Sequence, residues 1–169
     1  MYDREQVFNS LTKYGEGYAL DSNNNINIGT SAGFNSQTDE NIHIGTNAGL
    51  YATSGNHNVY IGFESGVGGV SFGSHYNNIG IGANTLTNIA TGFNNIGIGV
   101  NSLYNLTDGF DNYCFGNAAG YSLTTGTNNI LIGDETGYSL TDSGYNILMG
   151  TYAGYNLNAP NNLAIGFNS

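Results

Sequence analysis

Residues able to carry out acid–base or metal chemistry are scattered along this chain of 169 residues. Hydrolysis of a glycosidic bond needs two carboxyl groups about 5 to 9.5 Å apart across a cleft. Glu64 and Asp111 stand far apart in the chain, and the sequence assigns them no such geometry. His43, His57 and His75 occupy different positions of the repeat described below, so a zinc site is not expected. We therefore expect no catalytic residue, no metal and no cofactor.

These residues lie in a chain with an internal repeat. Each copy of the repeat contains, in this order, Asn, an apolar residue, any residue, an apolar residue and Gly. Successive copies start 16 to 20 residues apart, most often 17. Because each unit can bury its apolar face only against its neighbours, such a repeat is typical of solenoids. The glycines are Gly29, Gly45, Gly62, Gly82, Gly99, Gly116, Gly133, Gly150 and Gly166. The asparagines are Asn25, Asn41, Asn58, Asn78, Asn95, Asn112, Asn129, Asn146 and Asn162.

Each repeat contains short apolar segments separated by turn residues. The apolar pair on either side of the central residue, such as Ile96 and Ile98, predicts a strand with one buried face. A second pair, such as Tyr104 and Leu106, predicts a second strand in the later repeats. The sequence thus predicts an all-β fold, a narrow β-solenoid or β-roll of about nine 17-residue coils. At a strand spacing of ~4.8 Å the rod would be on the order of 40 Å long.

The column of asparagines is predicted to be structural. Stacked Asn side chains can hydrogen-bond along the stack and to turn backbone, and Asn tolerates left-handed φ values. A ligand bound once per repeat is the alternative. Glycines at a fixed offset similarly indicate positive φ or the close approach of neighbouring coils.

The central residue of each strand is expected to point away from the core, because side chains alternate along a strand. In the last four repeats this residue is apolar. An outward apolar stripe predicts association with other copies of the chain, and scattered exposed hydrophobic residues are the alternative. The predicted oligomer interface consists of Cys114, Leu131, Leu148 and Ala164.

The repeat is interrupted once, by three extra residues between Gly62 and Gly82. Loops on a regular scaffold commonly carry recognition, and aromatic rings beside polar groups suit the faces of sugars. An insertion that is merely tolerated is the alternative. The receptor-binding candidates around this loop are Tyr51, His57, Tyr60, Phe63, Glu64, Phe72, His75 and Tyr76.

Residues 1–20 are predicted to form a capping or anchoring segment before a solenoid domain of residues 21–169. Val7, Phe8 and Leu11 fall on one face of a short helix over residues 3–14, which Gly15 would end. We expect this segment to cap the first coil or to anchor the rod in a partner. At the other end, a partner, a symmetry mate or head-to-tail stacking is expected to cover the last coil.

Charge narrows the range of partners. The formal net charge is −10, and the basic side chains are Arg4 and Lys13 alone. Binding to nucleic acid is therefore not expected, since nothing neutralises phosphates, and neither is membrane insertion. Cys114 is the single cysteine, so an intrachain disulfide is excluded. Because no signal-peptide pattern is present, we expect the chain to be made and left in the cytoplasm unless it is carried out as part of something larger.

The segments NNIGIG (94–99) and NNILIGDETG (128–137) resemble two families of repeat proteins. One is the NNxxIGxxAG region of phage and large-virus tail fibres and spikes, and the other is the β-roll head of trimeric autotransporter adhesins. The resemblance covers residues 21–169, and the longer unit and the lack of a heptad stalk and membrane anchor favour the viral family. That family implies a homotrimeric rod, without catalysis, that often engages host-surface glycan or protein. The resemblance also implies synthesis in the host cytoplasm, display on a virion or extracellular appendage, and attachment through residues 1–20 to another virion or scaffold protein. A self-assembling extracellular filament or adhesin and a polysaccharide-degrading spike are the alternatives.

Overall fold

The computed structural model describes residues 18–20, 24–36, 39–68 and 74–169. Within them, three-residue strands stack in chain order into one ten-stranded sheet. The first two strands pair antiparallel, and the later pairs are parallel. The predicted β-solenoid of about nine coils is confirmed, and the structure adds that its coils pair in parallel. The strands are β1 (Tyr18–Leu20), β2 (Ile26–Ile28), β3 (Ile42–Ile44), β4 (Val59–Ile61), β5 (Ile79–Ile81), β6 (Ile96–Ile98), β7 (Tyr113–Phe115), β8 (Ile130–Ile132), β9 (Ile147–Met149) and β10 (Leu163–Ile165).

Residues 1–17 of the segment predicted to cap or anchor the rod lie outside the described residues, whereas residues 18–20 form β1. This applies to the helix over residues 3–14 and to its apolar positions Val7, Phe8 and Leu11. That prediction therefore stays a prediction.

The asparagine column forms a hydrogen-bonded ladder just before the strands. The Oδ1 of Asn95 accepts the backbone N–H of Asn112 at 3.1 Å and its Nδ2–H at 3.0 Å. The Nδ2 of Asn95 donates to the Gly109 carbonyl oxygen at 2.8 Å, which ties the ladder to the adjoining turn. The same pattern of stacking recurs from Asn25 to Asn162. The structural role predicted for the column is confirmed.

The recurring glycine follows each parallel strand at a point where consecutive coils come very close. Gly82 has φ of +135°, and a Cβ added to it would lie 2.6 Å from the carbonyl oxygen of Gly99. Both the conformation and the lack of space therefore require glycine.

The prediction of a second strand after the recurring glycine is wrong, because this segment is a turn in the described coils. After β6, Asn101 and Leu103 have φ of +57° and +53°, left-handed values that take the backbone out of an extended strand. The turns still stack coil on coil: the Leu103 N–H donates to the Ala119 carbonyl oxygen at 3.0 Å. Of the pair used for the prediction, Leu106 is buried while Tyr104 lies half-buried on the outer side.

The central residue of each strand from β2 to β10 points into the solenoid, so the predicted outward stripe is wrong. Cys114, Leu131 and Leu148 have no exposed surface. Ala164, in the last coil, packs partly buried against the same hydrophobic core. These four residues therefore cannot form the predicted oligomer interface, and they fill the interior instead.

The physical reason is that the interior accepts one large side chain, either from the strand or from the turn six residues later. A Cβ on Gly66 would overlap the ring of Tyr60, so a large strand residue requires glycine in the turn. The opposite arrangement occurs in the coil of β6, where the strand residue is Gly97 and the turn residue is Leu103. A Cβ added to Gly97 would lie 3.6 Å from the Cδ1 of Leu103. The strand residue must therefore be interior, because it shares this space with the turn.

Candidate interaction surfaces

The residues that flank the central strand position form two apolar rows on the outer face of the sheet. All eighteen positions in β2–β10 are apolar or aromatic, and none is fully buried. Ile132 and Ile147, for example, are 37 % and 42 % exposed. A sheet face in contact with water normally carries polar residues, so we name these positions the outer apolar face. Its rows are Ile26, Ile42, Val59, Ile79, Ile96, Tyr113, Ile130, Ile147 and Leu163, and Ile28, Ile44, Ile61, Ile81, Ile98, Phe115, Ile132, Met149 and Ile165.

Four of the receptor-binding candidates lie on the surface near the insertion. Tyr51, Phe63 and Tyr76 are 48 %, 52 % and 39 % exposed. His57 is exposed too, and its Nε2 lies 2.7 Å from the Glu40 carboxylate of the preceding coil. These residues stand at positions of the coil other than those of the outer apolar face. They are therefore accessible independently of it.

The other receptor-binding candidates do not form an exposed group. Tyr60 and His75 are buried, so their prediction as receptor contacts is wrong. Glu64 is half-buried, and its Oε1 accepts a hydrogen bond from Asn47 Nδ2 at 3.4 Å. Phe72 lies outside the described residues.

Tyr60 and His75 instead belong to a chain of polar rings inside the early coils. The Tyr60 hydroxyl lies 3.1 Å from Nδ1 of His75, and the ring of His43 stacks on Tyr60 with centroids 5.9 Å apart. Burial raises the pKa of Tyr60, against a smaller lowering by the hydrogen bond with Asn78. Burial lowers the pKa of His75 to about 4, so both side chains are neutral at pH 7. The cluster fills the core and presents no ring to a substrate.

The carboxylates considered for glycoside hydrolysis take part in hydrogen bonds between coils. Asp111 Oδ1 accepts from Asn94 Nδ2 at 3.1 Å, as Glu64 does from Asn47. Within the described ranges, no three His, Cys, Asp or Glu side chains lie close enough to hold a metal ion. Over the same residues, no helix has the length and apolar character needed to span a bilayer. Burial raises the pKa of the Cys114 thiol.

Two aromatic ladders run along the turns, and sequence reasoning did not identify them. In the first, Tyr104, Tyr121, Tyr138 and Tyr155 stack with centroids 5.2, 5.0 and 5.1 Å apart and planes within 16° of parallel. The second joins Tyr76, Phe93 and Phe110 at 5.1 and 4.8 Å. Their signal in the sequence was aromatic residues spaced by one 17-residue repeat, which parallel in-register coils bring face to face.

These features define the class of protein. The chain is a parallel β-solenoid with repeats about 17 residues long and an internal asparagine ladder. Comparisons with protein-family models, with curated proteins and with solved structures found no match for the chain. The class therefore rests on the repeat and on its geometry.

Proposed function

We propose that this chain is the rod of a homotrimeric virion fibre or spike, a non-enzymatic protein of attachment. The observation that carries the proposal is the outer apolar face, which extends from β2 to β10. The resemblance of the repeat to viral tail fibres favours the same function. In this proposal the faces of three copies meet along a common axis, and residues 1–20 anchor the rod in another virion protein.

Burial of the outer apolar face supplies the free energy for association. Ile81 and Ile132 are each 37 % exposed, and Ile147 is 42 % exposed. Full burial of such a side chain contributes about 1.5–3 kcal/mol, so covering the exposed part contributes about 1 kcal/mol per residue. Over the whole face this amounts to on the order of 10 kcal/mol or more. The cost of association is of the same size, ~4–15 kcal/mol.

A second copy of the same chain is the occupant that fits this face. Its side chains stand in straight rows that repeat at the strand spacing of ~4.8 Å. Two copies placed side by side with their coils level therefore meet with identical spacing along the whole rod. Cyclic symmetry repeats the same contact between every pair of copies.

The surface near the insertion supplies the attachment part of the proposal. Tyr51, Phe63 and Tyr76 remain exposed when the outer apolar face is covered, because they occupy other positions of the coil. Aromatic side chains with an adjacent polar group such as His57 suit contact with a host-surface glycan or protein.

Light scattering at several concentrations tests the assembly, with Ile132→Asp as the variant and Thr125→Asp as its control. Both changes place a carboxylate on an exposed residue, but Thr125 lies in a turn away from the face. We expect a constant mass of three chains for the parent and the control, and a monomer for Ile132→Asp. A monomeric parent would refute the proposal, and a mass that rises with concentration would favour the filament.

A further inference from the structure

The tyrosine ladder holds four phenol rings, and its two central members are the most nearly parallel. Tyr121 and Tyr138 have centroids 5.0 Å apart and planes 3° apart. Tyr104 and Tyr155 extend the stack on either side at 5.2 and 5.1 Å. All four are half-buried, so each ring is held in place while part of it meets solvent. Corresponding carbons of neighbouring rings are therefore separated by about the same distance as the ring centroids.

We propose that this ladder is a site of oxidative cross-linking, at which a one-electron oxidant of the peroxidase class joins Tyr121 to Tyr138 as dityrosine. Each phenol gives one electron to the oxidant and its hydroxyl proton to water, which leaves two tyrosyl radicals. The radicals form one carbon–carbon bond between the positions ortho to the hydroxyls. The two ortho hydrogens then move to the oxygens and restore both phenols. One hydrogen peroxide accepts the two electrons and two protons and becomes two waters.

The stack favours this reaction over the coupling of other tyrosines. Radicals formed anywhere in the ladder have a second phenol one coil away, whereas coupling in solution requires two radicals to meet by diffusion. Tyr113 lies on the outer apolar face between Ile96 and Ile130 of the adjacent strands, without a phenol above or below it. Tyr145 is exposed in a turn whose counterpart one coil earlier is Asn128.

The surroundings of Tyr138 keep its phenol protonated before oxidation. Burial raises the pKa of Tyr138, and the neighbouring Tyr121, Tyr155 and Glu135 raise it further. The electron and the proton therefore leave together, and the neutral radicals that result do not repel each other. The covalent bond would join one coil to the next within a single chain, so it needs no second copy.

Treatment of the purified chain with a haem peroxidase and hydrogen peroxide tests the proposal. Dityrosine is followed by its blue fluorescence and by a loss of two hydrogens in the intact mass. Cleavage after Asp and Glu places Tyr121 in residues 112–134 and Tyr138 in residues 136–142, so a bridge appears as one joined fragment. We expect that joined fragment, in a protein that still runs as a single chain on a denaturing gel.

Two matched double variants distinguish the effect of the stacked geometry from the effect of the number of tyrosines in the chain. Tyr121→Phe with Tyr138→Phe keeps the stacked rings but leaves Tyr104 and Tyr155 three coils apart, so it should lose the fragment that joins residues 112–134 to residues 136–142. A bridge between Tyr152 and Tyr155, whose rings meet edge to face with centroids 5.6 Å apart, would fall within residues 143–169 and cannot give this fragment. Tyr113→Phe with Tyr145→Phe removes as many phenols and should keep it. Absence of the joined fragment from the parent chain or from the variant with Tyr113→Phe and Tyr145→Phe, or bridges found only between chains, would overturn the proposal. Because the product is read within one chain, this result is independent of whether the rod is a trimer.

Discussion

Replacement of Asn95 by alanine tests whether the asparagine ladder holds the coils together. The Asn95 side chain makes four hydrogen bonds. Its Nδ2 donates to Asn78 Oδ1 at 3.0 Å and to the Gly109 carbonyl oxygen at 2.8 Å. Its Oδ1 accepts the backbone N–H of Asn112 at 3.1 Å and the Nδ2–H at 3.0 Å. Alanine removes all four and leaves their partners buried.

The size of the effect follows from these contacts. Each hydrogen bond contributes about 1 kcal/mol net, so the four together account for about 4 kcal/mol. The Asn112 N–H is buried, and leaving it unpaired adds about 1–3 kcal/mol unless water reaches it. We therefore expect Asn95→Ala to lower the free energy of unfolding by about 4–7 kcal/mol, which is much of the stability of a typical domain.

Urea unfolding followed by circular dichroism measures this change, and Asn162→Ala is the matched control. Asn162 stands in the last described coil and is half-buried, so water can replace its hydrogen bonds to Asn146, Ala159 and Pro160. We expect the control to lose about 1–2 kcal/mol at an unchanged urea dependence. Equal losses in the two variants, or less than about 1 kcal/mol for Asn95→Ala, would refute the role of the ladder.

Two further predictions concern the interior. Burial lowers the pKa of His75 from 6.5 to about 4. As the pH falls, His75 takes up its proton at a higher pH in the unfolded chain than in the folded chain. The free energy of unfolding therefore decreases as the pH falls from 6.5 toward 4, by about 2 kcal/mol at pH 5. Urea titrations at pH 7 and 5 should show this part of the loss disappear in His75→Gln, and an unchanged pH dependence would contradict it. Leu131→Gly and Gly137→Leu should each destabilise, by about 3 and 2 kcal/mol, whereas the double variant should regain most of the loss. Additive losses in a double-mutant cycle would contradict the shared space.

The parts of the fold that could be predicted are those where the structure requires one particular residue type at the same position of every coil. A column such as Gly82 requires glycine because consecutive coils meet there, so its spacing marks every coil. The asparagine column was interpretable for a similar reason, since few side chains can both donate and accept along a stack. Repeat length, coil number and the structural role of Asn95 therefore followed from spacing alone.

The turn segment could not be assigned correctly from the alternation of its side chains. Tyr104 and Leu106 are separated by one residue, which is the pattern of a strand with one buried face. The left-handed φ of Leu103 breaks that geometry, and leucine rarely adopts such a conformation. The tyrosine ladder was missed as a consequence, because the tyrosines were assigned to a second strand that does not exist.

The inward and outward faces of the strand present a different problem, because both are apolar in the later coils. Because side chains alternate along a strand, the central residue and its two neighbours must lie on opposite faces of the sheet. The alternation alone does not show which of the two faces is the core. The pairing of strand and turn residues decides the matter: Tyr60 occurs with Gly66, whereas Gly97 occurs with Leu103. Two positions that exchange a large side chain in this way must share one confined volume, and only the interior of a narrow solenoid is so confined. The isoleucines then remain as the outer apolar face, which is why a surface that first looked like the core becomes the basis of the proposed assembly.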